Sequence, residues 1–359
     1  MIYPLSDMKY LIALLLTSMA FSVSAQSELP IKINDFSDTY EAIILVNESN
    51  EIVEGRYENY TPKYILQVID TYQGKIVVEA HLNELPSHLP EQIDSENSIP
   101  YDSQSVFLYN DFNFDNIKDL ALMNGYNSCY GGPSFDIYLA ENDSFVYSSS
   151  FSHLSNEYCG MFEVNTANNT LHTMVKSGCC WHQFTDFKII NNEPKPIKIT
   201  EYSSFNPHNF TKVTEISYAG ETETIVEKLY FPMEEMMSKI ILYFELDNDK
   251  SAVLYELDNR LHYVFLKEDD EVEFYFPQNG NNDAEQNNLY PFTYFPQNNQ
   301  LEFSNKNAKY QIYETEKEIG IHVFTNGKTY NRQGNNNTVI GALKNIKNWK
   351  LINTKHENN

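Results

Sequence analysis

Positive charge is scarce in this chain. Lys and Arg number 25 against 50 Asp and Glu, for a formal charge of −25. A field of that sign repels nucleic acid and acidic lipid headgroups and argues against both as partners. It suits a basic protein partner or cations, and on composition alone it equally suits an exported protein kept soluble by its charge. Long apolar runs are also missing, with one exception. Leu11 to Val23 is apolar but too short to span a bilayer, with Lys9 before it and the small-residue triplet Val23-Ser24-Ala25 after it. That is the layout of a secretory signal peptide, so residues 1–25 are read as a signal and Gln26 as the mature start, with Met8 an alternative initiator. The other reading of the run is a buried N-terminal helix. No Cys stands at the cleavage site, which argues against a lipid anchor, and the expected location is the periplasm or the extracellular space.

Catalytic motifs are lacking as well. The chain has no G-x-S-x-G elbow, no H-E-x-x-H, no P-loop and no G-x-G-x-x-G. His153, His172 and His182 have no nucleophile at a recognisable spacing and read as surface or hydrogen-bonded histidines. A carboxylate pair for glycoside hydrolysis is not identifiable among 50 acids. The expectation is a binding protein rather than an enzyme. Cysteine is limited to Cys129, Cys159, Cys179 and Cys180, and in an oxidising compartment an even count reads as two disulfides with three connectivities. A Cys179–Cys180 bridge is strained, which favours pairing each of these two with one of the earlier cysteines. A zinc site is the alternative, without the usual paired C-x-x-C spacing.

What the chain does have is aromatic and β-branched residues, with 26 Tyr and 22 Phe. These favour strands, while abundant Asn marks turns. Apolar runs at Tyr64–Ile69 and Lys75–His81 flank Tyr72-Gln73-Gly74 as a hairpin. Strand candidates follow at 106–109, 119–123, 135–139, 145–149, 161–165, 170–176, 184–190 and 212–218. Spacing of about ten residues suits an all-β sandwich or barrel-like domain. The 84–100 stretch reads as an ordered loop or linker. Pro232 followed by Met233-Glu234-Glu235-Met236 reads as the start of a short helix and marks a boundary. The expected domains are therefore 26–232 and 233–359, the second also antiparallel β. Its strand candidates are 252–257, 261–266, 272–276, 300–303, 310–313 and 319–324, with Asn326-Gly327 as a hairpin turn. The pentapeptide Tyr-Phe-Pro-Gln-Asn occurs at 275–279 and 294–298, around an Asn-rich loop.

The sharpest local signal runs from Asp111 to Asp119. Side-chain oxygens of Asp111, Asn113, Asp115 and Asp119 fall at positions one, three, five and nine, and the Ile117 carbonyl at seven. Calcium takes six to eight oxygen ligands, which alternate residues of a tight loop can present to one point. Asn116 stands where such a loop turns sharply and tolerates a left-handed conformation. Leu122 replaces the Glu that an EF-hand needs, and Leu120-Ala121-Leu122-Met123 reads as a strand. The loop is therefore FG-GAP-like, similar to those leading into strands of integrin-type propeller repeats. The competing reading is an Asx-turn of solvated carboxylates. Two further loops suit binding. The segment 127–134 is Gly-rich and carries Cys129 and Tyr130, and the segment Ser177-Gly178-Cys179-Cys180-Trp181-His182 offers Trp181 as an anchor. Disulfide-stiffened loops lose little entropy on binding, and Tyr and Trp are enriched at hot spots. In the plain alternative Gly and Cys shape a turn and Trp181 fills the core.

In order, the Asp111–Asp119 string, Tyr130-Gly131-Gly132-Pro133-Ser134, Phe145-Val146-Tyr147, Met161-Phe162-Glu163-Val164 and Lys176-Ser177-Gly178-Cys179-Cys180-Trp181-His182 resemble a family. It comprises bacterial periplasmic immunity proteins against peptidoglycan-hydrolase effectors of type IV secretion systems, similar in fold to inhibitors of invertebrate-type lysozyme. The resemblance covers about residues 101–215. It implies a calcium-containing β protein that blocks a basic, lysozyme-like hydrolase, with Tyr130, Ser177, Gly178, Trp181 and His182 toward the partner. The departures are Cys179 and Trp181 after Ser177-Gly178, where lysozyme inhibitors carry a nearby Tyr, the missing lipid anchor, and an unmatched C-terminal domain. The alternative is a calcium-stabilised envelope module that binds glycans or proteins.

Overall fold

A computed structural model describes residues 29–46, 63–142, 144–204, 208–278 and 290–357. The expected signal segment and the Asn-rich loop at 279–289 lie outside the described residues. The described residues are mostly β, built of open, largely antiparallel sheets with no closed barrel among them. It divides into two compact units, one of residues up to Asn127 with Gly131–Ser152, the other of Ser128–Tyr130 with the chain from His153 onward. Position 232, the boundary expected from sequence, falls inside the second unit.

In the first unit β1 (Ile31–Asn34), β2 (Tyr40–Val46), β3 (Tyr64–Asp70) and β4 (Lys75–Leu82) form a meander, and β5 (Ser98–Pro100) adds in parallel beside β1. Period-two alternation puts Ile33, Ala42, Ile44, Leu66, Val68 and Ala80 on one buried face. The expected hairpin is present. Gly74 takes φ +63°, and the Asp70 carboxylate accepts the Tyr72 and Gln73 N–H groups at 2.8 Å each. The 84–100 stretch holds a 3₁₀ turn at Leu89–Gln92, anchored by buried Leu89, before β5. A second sheet runs in sequence order through β6 (Phe107–Asn110), β7 (Asp119–Ser128), β8 (Gly132–Glu141) and β9 (Ser144–Tyr147). Residues 119–123 of β7 are buried without alternation, the mark of a strand covered on both faces. Helix α1 (Ser149–Asn156) follows, where the sequence reading runs a strand on to 149.

The second unit begins with a six-stranded meander, β10 (Glu163–Asn165), β11 (Thr170–Ser177), β12 (Trp181–Ile190), β13 (Glu193–Ser203), β14 (Thr211–Ala219) and β15 (Thr222–Tyr230). Helix α2 (Met233–Met236), one turn long, stands where the sequence places a helix start. Strands β16 (Ile240–Glu245), β17 (Ser251–Leu257), β18 (Arg260–Leu266) and β19 (Val272–Phe276) form the next sheet. Strands β20 (Phe292–Phe295), β21 (Gln300–Asn305), β22 (Ala308–Glu314), β23 (Ile319–Thr325) and β24 (Lys328–Gln333) form the last. Strand β25 (Ile340–Gly341) edges β16, and β26 (Thr354–His356) runs parallel beside β20.

These last two sheets face each other as a sandwich. Leu242, Phe244, Leu254 and Tyr263 from one pack with Phe292, Leu301, Phe303 and Ile321 from the other. The opposite face of the β16–β19 sheet is covered too, with Val253, Tyr255, Val264 and Leu266 packed with Phe210 and Phe231. Consecutive residues Val253 and Leu254 thus enter different cores. Each such side chain contributes about 1.5–3 kcal/mol by leaving water. Asn353 closes the sandwich, its fully buried amide accepting from the Leu261 N–H at 2.8 Å and donating to the Leu261 carbonyl at 3.0 Å.

Candidate functional sites

The acidic loop between β6 and β7 is held by its own backbone. The Asp111 carboxylate accepts the Asp115 N–H at 3.2 Å and the Asn116 N–H at 2.9 Å, and the Asp115 carboxylate accepts the Ile117 N–H at 2.8 Å. Asn113 donates its side-chain amide to Asp115 at 3.0 Å. Asn116 takes φ +70°, the left-handed turn expected there, and Phe114 takes +62°, a conformation that non-glycine residues adopt rarely. Asp119 is fully buried and accepts the Phe112 N–H at 2.8 Å and the Ala140 N–H at 2.9 Å. Burial pushes its carboxyl up to about 6, the two N–H donors oppose the shift, and the charges of Asp115 and Asp111 add to it.

This geometry fits a cation in part. Each carboxylate oxygen keeps lone-pair capacity after accepting one N–H. Ile117, whose carbonyl would be the fifth ligand, is exposed. Yet Asp119 is turned toward two peptide donors, and among the described residues no three Asp, Glu, His or Cys side chains converge as a metal-binding group.

The other sequence-predicted residues meet in the second unit. Strands β11 and β12 pair down to Ser177 and Trp181, leaving Gly178, Cys179 and Cys180 as the turn. The disulfides differ from the expected cross-pairing: Cys129 bonds Cys159, and Cys179 bonds Cys180. The reason lies in the backbone. The Cys129 N–H donates to the Tyr158 carbonyl at 3.2 Å and the Cys159 N–H to the Met174 carbonyl at 2.8 Å, which fixes the two Cα atoms 4.7 Å apart, inside the bridging range. Cys179 and Cys180, held together in a three-residue turn, are left to each other.

Tyr130, in a left-handed conformation at φ +55° and 68% exposed, reaches this turn. Its hydroxyl accepts the Gly178 N–H at 2.5 Å, and the Lys176 ammonium lies 5.3 Å from its ring centroid, within cation–π range. Tyr130 of the one loop singled out by sequence therefore meets the turn of the other. Lys176 is the member that sequence reasoning missed, and only the strand register betrays it. Trp181 and His182 are half-buried neighbours on a strand, so they point to opposite faces. His182 lies across from Lys176 and Tyr202, and Trp181 across from Ser177 and Ser203.

No protein-family model and no curated protein sequence matches this chain. Among solved structures, a Xanthomonas protein related to a type IV secretion system aligns at 18% identity and a TM-score of 0.38, over 55% of this chain and 99% of that one. TolB from Acinetobacter baumannii aligns at 8% identity and a TM-score of 0.20, over 85% of this chain and 65% of that one. Among the described residues no helix is long and apolar enough to cross a membrane.

Proposed function

We propose that this chain is an exported, non-enzymatic inhibitor or immunity protein that blocks a basic, lysozyme-like peptidoglycan hydrolase outside the cytoplasm. The observation that carries this reading is the bond from the Gly178 N–H to the Tyr130 hydroxyl. It joins an exposed aromatic to a turn stiffened by the Cys179–Cys180 disulfide, with Cys129–Cys159 behind it. A preorganised aromatic tip loses little entropy on docking. The net charge of −25 supplies long-range attraction to a basic partner, which raises the on-rate and is screened by salt. The test is titration of the mature protein against a panel of basic lysozymes at low and high salt. The expected result is nanomolar binding that weakens with salt and falls at least about tenfold in Tyr130→Ala, as for a hot spot. Absence of binding to every lysozyme at low salt rejects the reading.

A second reading, a calcium-stabilised envelope binding module, is favoured by one observation. Burial raises the Asp119 carboxyl and the nearby charges of Asp115 and Asp111 add to it, and a calcium ion among them would relieve that repulsion. Asp111, Asn113, Asp115, the Ile117 carbonyl and Asp119 are the ligands it would use.

A further inference from the structure

At one end of the sandwich in the second unit, the facing sheets leave a cavity of about 210 Å³ lined by Tyr263, Phe265, Glu273, Phe274, Tyr310 and Arg332, with Ile321 and Val323. That is smaller than the roughly 300–1,000 Å³ of pockets for drug-sized ligands and suits a single small ring. Its polar groups are placed unusually. Tyr263 is 2% exposed, lines the cavity, and among the described residues its hydroxyl makes no hydrogen bond. Tyr310 and Glu273 line the same cavity, so three oxygen-bearing side chains border it.

Arg332 adds the second observation. The chain has 50 carboxylates and only three arginines. Arg332, exposed at the cavity, takes part in none of the ion pairs found among the described residues, whereas Glu273 is paired with Lys250. In so acidic a chain an arginine without a carboxylate partner leaves a planar five-donor fork open at the cavity. The walls supply the complementary surface. Phe274 stacks on Tyr310 at 5.4 Å and 12°, and Tyr310 on Phe303 at 4.8 Å and 4°, making a rigid run of parallel rings.

We propose that this cavity binds a monosaccharide-sized ring carrying a carboxylate, that is, a sugar acid. Its C–H face lies on the aromatic wall, its carboxylate on Arg332, and its hydroxyls bond the Tyr263 and Tyr310 hydroxyls and Glu273. A sugar hydroxyl both donates and accepts, which suits a site where a carboxylate accepts and phenols do either. A purely aromatic acid would leave the Tyr263 hydroxyl without a partner, which is why the ring is assigned as hydroxylated.

The experiment is ligand-observed NMR and calorimetry on the whole mature protein, with glucuronate as the probe and glucose as its uncharged counterpart, each up to about 20 mM, which reveals millimolar affinity. Glucuronate is expected to bind, with glucose at least about tenfold weaker for want of the charge-assisted pair. Arg332→Ala is expected to abolish that preference, and Tyr263→Phe to weaken glucuronate while leaving the melting temperature unchanged or higher, since the hydroxyl it removes has no partner in the free protein. The proposal is overturned if glucuronate shows no binding, if glucose binds as well as glucuronate, or if neither substitution alters binding.

Discussion

The Gly178 N–H and the Tyr130 hydroxyl, 48 positions apart in the chain, meet at 2.5 Å. A single side-chain oxygen thereby links Tyr130 to the turn at Gly178. Tyr130→Phe keeps the ring and its Lys176 contact but removes the acceptor. The loss is expected to be about 0.5–1.5 kcal/mol locally, so the Gly178 amide should exchange with solvent up to about tenfold faster. Unchanged exchange at Gly178 would mean that the turn is rigid without Tyr130.

Two buried groups, one in each unit, should respond to acid in opposite directions. In the first, the Asp119 carboxyl is raised by burial from 3.8 to about 6. Its ionised form is disfavoured in the fold, so its contribution is fully present below about 3.8 and is lost as pH rises through 6. In the second, burial, aided by the charges of His208 and Arg260, lowers His262 from 6.5 to about 4. His262 stays neutral in the fold, so its contribution is present above 6.5 and is lost as pH falls toward 4. Hydrogen exchange at pH 7 and pH 5 should show β7 better protected at the lower pH and β18 less protected. Parallel changes in both would count against these assignments.

If the acidic loop holds calcium, the ion should stabilise the first unit by about 2.7 kcal/mol at a hundredfold excess over Kd and so raise its melting temperature. Asp115→Ala should erase that rise. An equal shift in wild type and variant, or none in either, leaves Asp111 to Asp119 as a turn held only by its own N–H groups.

Non-reducing peptide mapping should recover Cys129 joined to Cys159 and Cys179 joined to Cys180. Replacing Cys129 and Cys159 by Ser opens a loop of 30 residues, at an expected cost of about 2–4 kcal/mol in urea unfolding. Replacing Cys179 and Cys180 opens almost no loop, so global stability should hardly change.

Much of the architecture was legible in the sequence, because turns carry local signatures. Gly74 at φ +63°, and Asn326 and Gly327 at +50° and +71°, each sit where the residue type predicts a reversal. Strand β13 escaped notice because Pro194 and Pro196 interrupt it, and its pairing with β12 accommodates them with a register shift at Asp186/Phe187. Helix α1 escaped because Ser149-Ser150-Phe151-Ser152-His153-Leu154-Ser155-Asn156 is poor in helix formers, and burial of Phe151 and Leu154 overrides propensity. The disulfides were misassigned because sequence order carries no record of which carbonyls Cys129 and Cys159 would face. The cavity was invisible for the same reason: Tyr263, Glu273, Tyr310 and Arg332 come from four strands, β18, β19, β22 and β24, and share no motif.

The buried Asn353 amide and the parallel strand β26 have a bearing on how the chain is made. Synthesis delivers residues from the N-terminus, so β18 and β20 exist long before Asn353 can bond Leu261 or Thr354–His356 can line up beside Phe292–Tyr294. Until residues 353–356 emerge, the Leu261 peptide groups and one edge of the final sheet lack their partners. The sandwich of the second unit is therefore completed only after Asn353 and Thr354–His356 have been made, although most of its strands precede them.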